Sequence, residues 1–180
     1  MEKAALKEHR RHSTADKPFS YYISNIPEYF PNAPMHWHKE FELNVILEGE
    51  GDFVTGDIHF TAYKGDIVLT PPDMLHAVYQ HDDKRCVYDT LDLDGSMLGS
   101  RDNGRAADAF IAPLISGAYS IETHITPEHC YYSELLTTAE NMISAAKGDT
   151  PLLDMLIKSE LLRFMFLLLS LIHISEPTRP

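Results

Sequence analysis

The chain has 180 residues, with 15 Lys and Arg against 27 Asp and Glu, for a formal net charge of −12. This acidity repels phosphate backbones and excludes a general nucleic-acid binder for the chain by itself. With 44% hydrophobic residues, the chain can fold around one core, which excludes the disordered and collagen-like classes. Cys86 and Cys130 lack Cys-x-x-Cys spacing and are expected to be ordinary buried thiols rather than a disulfide framework or a zinc-thiolate site.

The first 18 residues form a charged lead-in without the apolar core of a secretory signal, so we expect a cytoplasmic protein. His9 and His12 lie among Lys and Arg in this lead-in and are expected to be solvated. The most apolar run of the chain, residues 164–174, is shorter than the roughly 20 residues of a membrane-spanning helix. No membrane segment is therefore predicted.

Residues 19–125 are a series of short runs rich in Val, Ile, Tyr, Phe and Thr, separated by Gly-Asp dipeptides and Pro71-Pro72. Several short strands at close spacing are typical of a β-sandwich or barrel. The predicted strands are 19–24, 41–47, 52–54, 58–63, 66–69, 76–79, 86–93 and 119–125.

After residue 125 the apolar period changes from two to about 3.6, which predicts two helices. Thr126-Pro127 and Thr150-Pro151 are typical helix starts, and Gly148 is a typical stop. The first apolar face consists of Tyr131, Leu135, Ala139, Met142, Ile143 and Ala146. The second consists of Leu152, Leu153, Leu156, Ile157, Leu161 and Phe164, and core packing and dimerisation are equal alternatives for it.

The segment 35–49 carries the residues most suited to chemistry. Side chains alternate along a strand, so a continuous strand places on one face the polar residues His36, His38, Glu42 and Asn44. The opposite face is apolar, so the strand is buried on both sides, and its polar groups need a metal, a polar ligand or a hydrogen-bond network. A strand and a Pro-Pro turn lead to His76, which can return to the same cavity. Three imidazoles and one carboxylate suit iron, manganese, nickel, copper or zinc.

These residues also carry a family resemblance. The pattern His36-x-His38-x-x-x-Glu42, ending at Gly49, resembles the first cupin motif. The pattern that begins at Gly65 and continues Pro71-x-Asp73-x-x-His76 resembles the second. Three positions depart from the family: Phe30 stands at the leading glycine of the first motif, Asp73 at the inner glycine of the second, and Gln80 at the usual asparagine. All four metal-ligand types are retained.

The longer pattern, with Glu48-Gly49-Glu50-Gly51 and two trailing helices, resembles the sensor half of AraC-type transcription regulators over about residues 20–170. The resemblance implies a mainly β fold, a cupin (jelly-roll) barrel followed by two C-terminal α-helices. It implies that an N-terminal arm, residues 1–18, can cover a ligand. It implies that a barrel, residues 19–125, binds a small effector, often a sugar. It also implies that a helical segment, residues 126–170, makes a homodimer.

In this family DNA binding belongs to a helix-turn-helix domain that is missing here. Residues 171–180 resemble an adapter-derived peptide, so we expect a truncated reading frame with a non-native tail.

Two main functions follow, and a stand-alone sugar-binding cupin is a third possibility. The first is a non-enzymatic sensor whose ligand-binding residues are His36, His38, Glu42, Asn44, His76 and Tyr22. Tyr22, with Phe19 and Tyr21, is a candidate for the mouth of the barrel, and core packing is the alternative for all three. The second is a metal-dependent cupin enzyme, an oxygenase or isomerase, in which a divalent transition metal is held by His36, His38, Glu42 and His76. A polar pocket without metal remains an equal alternative.

Overall fold

The computed structural model describes residues 3–99, 107–116 and 118–175, without the side chains of residues 107 and 171–175. Its strands are all antiparallel: β1 (Phe19–Ile26), β2 (Asn32–His36), β3 (Phe41–Thr55), β4 (Ile58–Tyr63), β5 (Ile67–Thr70), β6 (His76–Gln80), β7 (Cys86–Leu93) and β8 (His124–Ile125). The helices are α1 (Ala112–Ile115), α2 (Tyr132–Ala146) and α3 (Pro151–Ser175). The predicted fold class, mainly β with C-terminal helices, is confirmed.

Strand β3 connects the two layers of the sheet. Its first half pairs with β5 and β7, and its second half pairs with β4 and β6. The separately predicted strands 41–47 and 52–54 are therefore one strand. The strand order in the first layer is β1-β7-β3-β5-β8. In the second layer β6 pairs with β3 on one side and with β2 on the other.

The apolar side chains form two clusters on opposite faces of the layer made by β1, β7, β3, β5 and β8. Phe41, Leu43 and Val45 face outward and pack with Leu135, Met142, Phe164 and other residues of α2 and α3. Ile46, Phe53, Val68 and Tyr88 face inward and fill the closed part of the barrel. The alternation predicted for β3 thus places its apolar face under the helices and its polar face toward the barrel interior.

Several boundaries differ from prediction. Strand β2 was not predicted, because Pro34 interrupts its pattern; it lies at an edge, where proline is tolerated. The strand predicted over 119–125 is reduced to His124–Ile125. Helix α2 begins at Tyr132 rather than at Pro127, because the intervening residues form hydrogen-bonded turns.

Helix α3 begins at Pro151 as predicted, but two members of its predicted apolar face are exposed, Leu152 at 72% and Leu156 at 40%. The predicted tail overlaps the end of this helix, and residues 176–180 lie outside the described residues. Among the described helices, none is both long and apolar enough to cross a lipid bilayer.

Two burial predictions are wrong. Cys130 is exposed, whereas Cys86 is buried as expected. His12 is only 6% exposed rather than solvated, because residues 3–18 lie along the open end of the barrel instead of fraying into solvent. We call these residues the arm. The arm begins with a 3₁₀ turn, Lys3–Leu6, and forms a β-bridge between Lys7 and Trp37.

Candidate functional site

A cavity of about 490 Å³ lies between the two layers, at the end of the barrel that the arm covers. Aromatic rings of Tyr22, Phe30 and Tyr88 form part of its wall. Its polar groups come from five strands and the arm, and they include Glu8, Arg10, His12, His36, Glu42, His76, Thr90 and Asp92. The cavity therefore offers both ring faces and hydrogen-bonding groups to a small molecule.

The four predicted metal-ligand residues meet beside this cavity: His36, Glu42 and His76 line it, and His38 lies next to them. His36 ends β2, His38 lies in the bend that follows, Glu42 is on β3 and His76 begins β6. The β2–β6 register places His36 opposite His76, and their ring centroids are 4.1 Å apart. Each residue offers one ligand atom, and these atoms lie within 4.8 Å of one another. His36, His38 and Glu42 were expected on one continuous strand over 35–49, and this was wrong. The chain bends after His36, so His36 lies at the end of β2 and Glu42 lies on β3.

The distances within the cluster suit a metal ion. Glu42 Oε2 is 3.4 Å from His38 Nε2 and 3.5 Å from His76 Nε2. Two ligand atoms at about 2.1 Å from one ion, at a tetrahedral angle, are separated by about 3.4 Å. Among the described residues, the buried Nε2 of His76 has no hydrogen-bond partner. The residues therefore fit a divalent transition metal.

Backbone carbonyls orient two of the imidazoles. His36 Nδ1 lies 2.7 Å from the carbonyl oxygen of Pro34, and His76 Nδ1 lies 2.9 Å from that of Met74. Because a carbonyl only accepts, each Nδ1 carries the proton and donates it. The Nε2 lone pairs of both rings are then free to bind an ion, as is usual for histidine ligands.

Without an ion, the charged groups of the cluster stabilise one another. Burial raises the pKa of Glu42, but the charges of His76 and His38 outweigh this and hold that pKa well below its usual range. Burial lowers the pKa of His76, and Glu42 more than compensates, so the net shift is upward. Burial and the neighbouring His76 lower the pKa of His36. Glu42 with a protonated His76 is thus an ion pair that a polar ligand can contact.

Asn44 and Tyr22 have different positions relative to the pocket. Asn44 is buried behind Glu42: its amide donates to Glu42 Oε1 at 2.8 Å, and Thr90 donates to its carbonyl oxygen at 2.7 Å. It therefore orients the carboxylate. Tyr22 lines the cavity, with its hydroxyl 3.2 Å from His12 Nδ1. Phe19 and Tyr21 belong to the outer apolar cluster rather than to the mouth.

Two residues of the arm, His12 and Glu8, lie at the site although the sequence did not predict them there. His12 lies 2.6 Å from Asp92 Oδ2 through Nδ1 and 2.8 Å from Glu8 Oε2 through Nε2. Burial lowers the pKa of His12, but hydrogen bonds to the two carboxylates raise it to about 11. Glu8 Oε2 in turn lies 3.6 Å from His36 Nε2. The only signal in the sequence was Asp92, an acid on the interior face of an apolar strand that requires a buried partner.

Backbone and side-chain contacts hold the arm on the barrel. Trp37 donates its backbone N–H to Leu6 and accepts one from Glu8, at 3.1 and 3.0 Å. The indole Nε1–H of Trp37 donates to the carbonyl of Lys3 at 2.7 Å. Ser13 contacts the carboxylates of Glu40 and Asp94 at 2.7 and 3.0 Å.

Comparison with known proteins gives a family and one curated relative. The family described as the AraC-like ligand binding domain matches residues 18–165. The "Uncharacterized HTH-type transcriptional regulator YdeC" of Bacillus subtilis (strain 168) is 27% identical over 89 residues, which is 49% of this chain and 31% of that protein. The match therefore spans about a third of the relative's length.

Several solved structures are similar to parts of the chain. A Cupin 2 conserved barrel domain protein from Salinispora arenicola CNS-205 is 22% identical, with a TM-score of 0.39 over 48% of this chain and 71% of that one. Oxalate decarboxylase of Bacillus subtilis is 19% identical, with a TM-score of 0.38 over 44% and 22%. The DMSP lyase DddQ from Ruegeria pomeroyi DSS-3 is 23% identical, with a TM-score of 0.38 over 48% and 41%.

Proposed function

The chain belongs to the family of AraC-like ligand binding domains, and from this premise we propose that it is the effector-sensing part of a cytoplasmic transcription regulator. The observation that carries the proposal is the cavity of about 490 Å³ at the arm-covered end of the barrel, a volume typical of small-molecule sites. Sensing, rather than catalysis, is the role that the family and the regulator-like relative support.

We propose a sugar or a related polyhydroxylated metabolite as the effector. Sugar hydroxyls both donate and accept hydrogen bonds, and the cavity offers the carboxylates of Glu42 and Asp92 as acceptors and the imidazole of His76 as a partner. The rings of Tyr22 and Phe30 provide apolar faces against which a sugar ring can pack.

Isothermal titration calorimetry with a panel of sugars and sugar acids tests this proposal, in buffer with a chelator. We expect at least one member to bind, and Tyr22→Ala to weaken that binding by about tenfold or more. Tyr29→Ala is the matched control, because Tyr29 is 64% exposed and does not line the cavity. Folded protein that binds no member of the panel contradicts the proposal, as does equal binding by the two variants.

The outer face of α3 supports a homodimer. Its exposed apolar side chains are Leu152, Met155, Leu156, Leu162 and Phe166. At 100° per residue these five positions fall on one side of the helix, with the exposed Ser159 and Arg163 between them. A largely apolar exposed face is typical of an interaction surface.

Sedimentation analysis tests the dimer. We expect Phe166→Glu to produce monomers and Tyr63→Glu, at an exposed aromatic position on β4, to leave the dimer intact. A monomeric wild-type protein contradicts the assignment. DNA contact is assigned to another part of the regulator, since the charge of −12 disfavours phosphate contact by this one.

The histidine cluster supports a second candidate function, a metal-dependent oxygenase or isomerase. His36, His38, Glu42 and His76 would hold the ion, which when bound supplies Lewis-acid or redox chemistry. Elemental analysis of the purified protein separates the candidates. Stoichiometric metal that is lost in Glu42→Gln, together with turnover of a substrate, favours the enzyme. Glu48→Gln, at an exposed carboxylate on the same strand, is the control. Ligand binding by metal-free protein without turnover favours the sensor.

A further inference from the structure

Glu8 is the acidic side chain that the arm brings to the histidine cluster. Its Oε2 atom lies 3.6 Å from His36 Nε2, and its side chain is 29% exposed. Glu8 and His38 belong to a second group whose ligand-type atoms lie within 4.8 Å of one another, so His38 is common to this group and to the four-residue cluster. His12 is the third member of the group, and both of its nitrogens are occupied by the carboxylates of Glu8 and Asp92. We propose that Glu8 is a further ligand of a divalent metal ion held by the cluster, so that the ion fastens the arm over the pocket.

This inference rests on the metal site put forward above, but not on catalysis or on the identity of an effector. It adds a residue from outside both histidine motifs, and it makes closure of the arm dependent on an ion.

The two atoms that face each other in this contact are both hydrogen-bond acceptors. His36 donates Nδ1–H to the carbonyl of Pro34, so its Nε2 presents a lone pair. The Glu8 carboxylate has only lone pairs to present. Two acceptors repel each other in a partly buried site unless a shared proton or a metal ion lies between them, and 3.6 Å is too long for a hydrogen bond. A metal ion satisfies both atoms, and the separation is close to that of two ligands on one ion.

Glu8 is held in place as a ligating carboxylate usually is. His12 donates Nε2–H to Glu8 Oε2 at 2.8 Å and Nδ1–H to Asp92 Oδ2 at 2.6 Å. Carboxylate ligands are commonly fixed by such outer hydrogen bonds. Asp92 itself is 1% exposed, and its Oδ1 has no hydrogen-bond partner among the described residues and lies 4.0 Å from His38 Nε2. Asp92 therefore presents a further uncompensated oxygen toward the same region.

The backbone on both sides of Glu8 connects the ion to the arm. Glu8 N–H donates to the carbonyl of Trp37, and Trp37 N–H donates to Leu6. Trp37 is the only tryptophan of the chain, and the Lys3 and Lys7 ammonium groups lie 5.5 and 5.2 Å from its ring centroid. Release of the arm removes these cations and the hydrogen bond to Lys3, so the emission of Trp37 reports whether the arm is docked.

The experiment is a Zn²⁺ titration of chelator-treated protein, since Zn²⁺ has no redox chemistry and takes histidine and carboxylate ligands. Affinity is measured by calorimetry, Trp37 emission is followed in parallel, and trypsin cleavage after Lys7, Arg10 and Arg11 is timed with and without the ion. We expect wild-type protein to bind Zn²⁺, to change its emission and to resist cleavage of the arm. Glu8→Gln should bind Zn²⁺ about 10- to 100-fold more weakly and lose the emission change.

Asp16→Asn is the matched control, because it converts another acid of the arm to an amide at an exposed position. It should behave like wild type. Equal Zn²⁺ affinity and equal emission change in wild type and Glu8→Gln overturn the proposal. So does Zn²⁺ binding that leaves wild-type cleavage unchanged, a result that does not depend on any variant. Failure to bind Zn²⁺ overturns the inference alone, since effector binding is measured separately in the presence of chelator.

Discussion

The His12–Asp92 pair provides a specific test of how the arm closes the barrel. His12→Ala removes two charge-assisted hydrogen bonds, of 2.6 and 2.8 Å, and leaves the 1%-exposed Asp92 without its partner. At about 1.5 kcal/mol for each bond, we expect the free energy of unfolding to fall by about 3 kcal/mol. For a domain of this size that is a decrease in Tm of roughly 6–12 °C.

The pH dependence of this stabilisation has a defined sign. The pKa of His12 is raised in the folded state, so folding retains a proton that the unfolded chain releases above pH 6.5. The stabilisation is fully present below that pH and decreases as the pH rises toward the folded pKa. The difference in unfolding free energy between wild type and His12→Ala should therefore be larger at pH 6 than at pH 9, with a slope of at most about 1.4 kcal/mol per pH unit.

Urea denaturation followed by circular dichroism, with chelator present, measures these quantities. His9→Ala is the control, since His9 is exposed on the same arm, and we expect a change within about 0.5 kcal/mol. A double-mutant cycle with Asp92→Asn should give a coupling energy of at least about 1 kcal/mol. Additive effects, or a His12→Ala variant as stable as His9→Ala at pH 6, would refute the insertion of His12 beside Asp92.

Three further predictions concern single positions. Gly49→Ala should lower the unfolding free energy by at least about 2 kcal/mol, because φ is +74° and the new Cβ would lie 1.7 Å from a backbone carbonyl oxygen; Gly56→Ala, at φ +61° but without such a clash, should cost less in the same urea titration. Phe41→Ala should cost about 3–5 kcal/mol because the ring is fully buried, and a loss under 1 kcal/mol would contradict the packing of the helices on β3. In native protein a thiol reagent should modify Cys130 quickly and Cys86 only after unfolding, since burial raises the Cys86 pKa to about 12; equal rates would argue against the burial of β7.

Local patterns were sufficient to predict much of the barrel and the four-residue cluster. Period-two alternation from Phe41 to Val45 identified the face that packs under the helices, and the two histidine motifs identified the residues that form the four-residue cluster. Both signals depend on side-chain spacing within one short segment, which a sequence displays directly.

Long-range pairing was not predictable in the same way. No local pattern connects His12 with Asp92, which is far away in sequence and becomes its neighbour only when the arm crosses the barrel. Strand β2 was missed because Pro34 breaks its pattern, although pairing with β6 still forms it. Helix α2 begins at Tyr132 because the residues after Thr126, the predicted N-cap, form hydrogen-bonded turns instead of a helix. Tertiary contacts decide the first two cases, whereas at α2 one local preference replaces another.

Strand β7 connects the pocket with the helices because its side chains alternate between the two faces of the sheet. Thr90 and Asp92 point into the cavity. Asp89, on the opposite face, accepts a hydrogen bond from the Tyr21 hydroxyl at 2.6 Å and lies 3.5 Å from Lys147 Nζ at the end of α2. An effector that contacts Thr90 or Asp92 thus acts on the same backbone that fixes this ion pair. Lys147 lies outside the cavity. We therefore expect Lys147→Ala to weaken effector binding, because β7 couples the ion pair to the pocket.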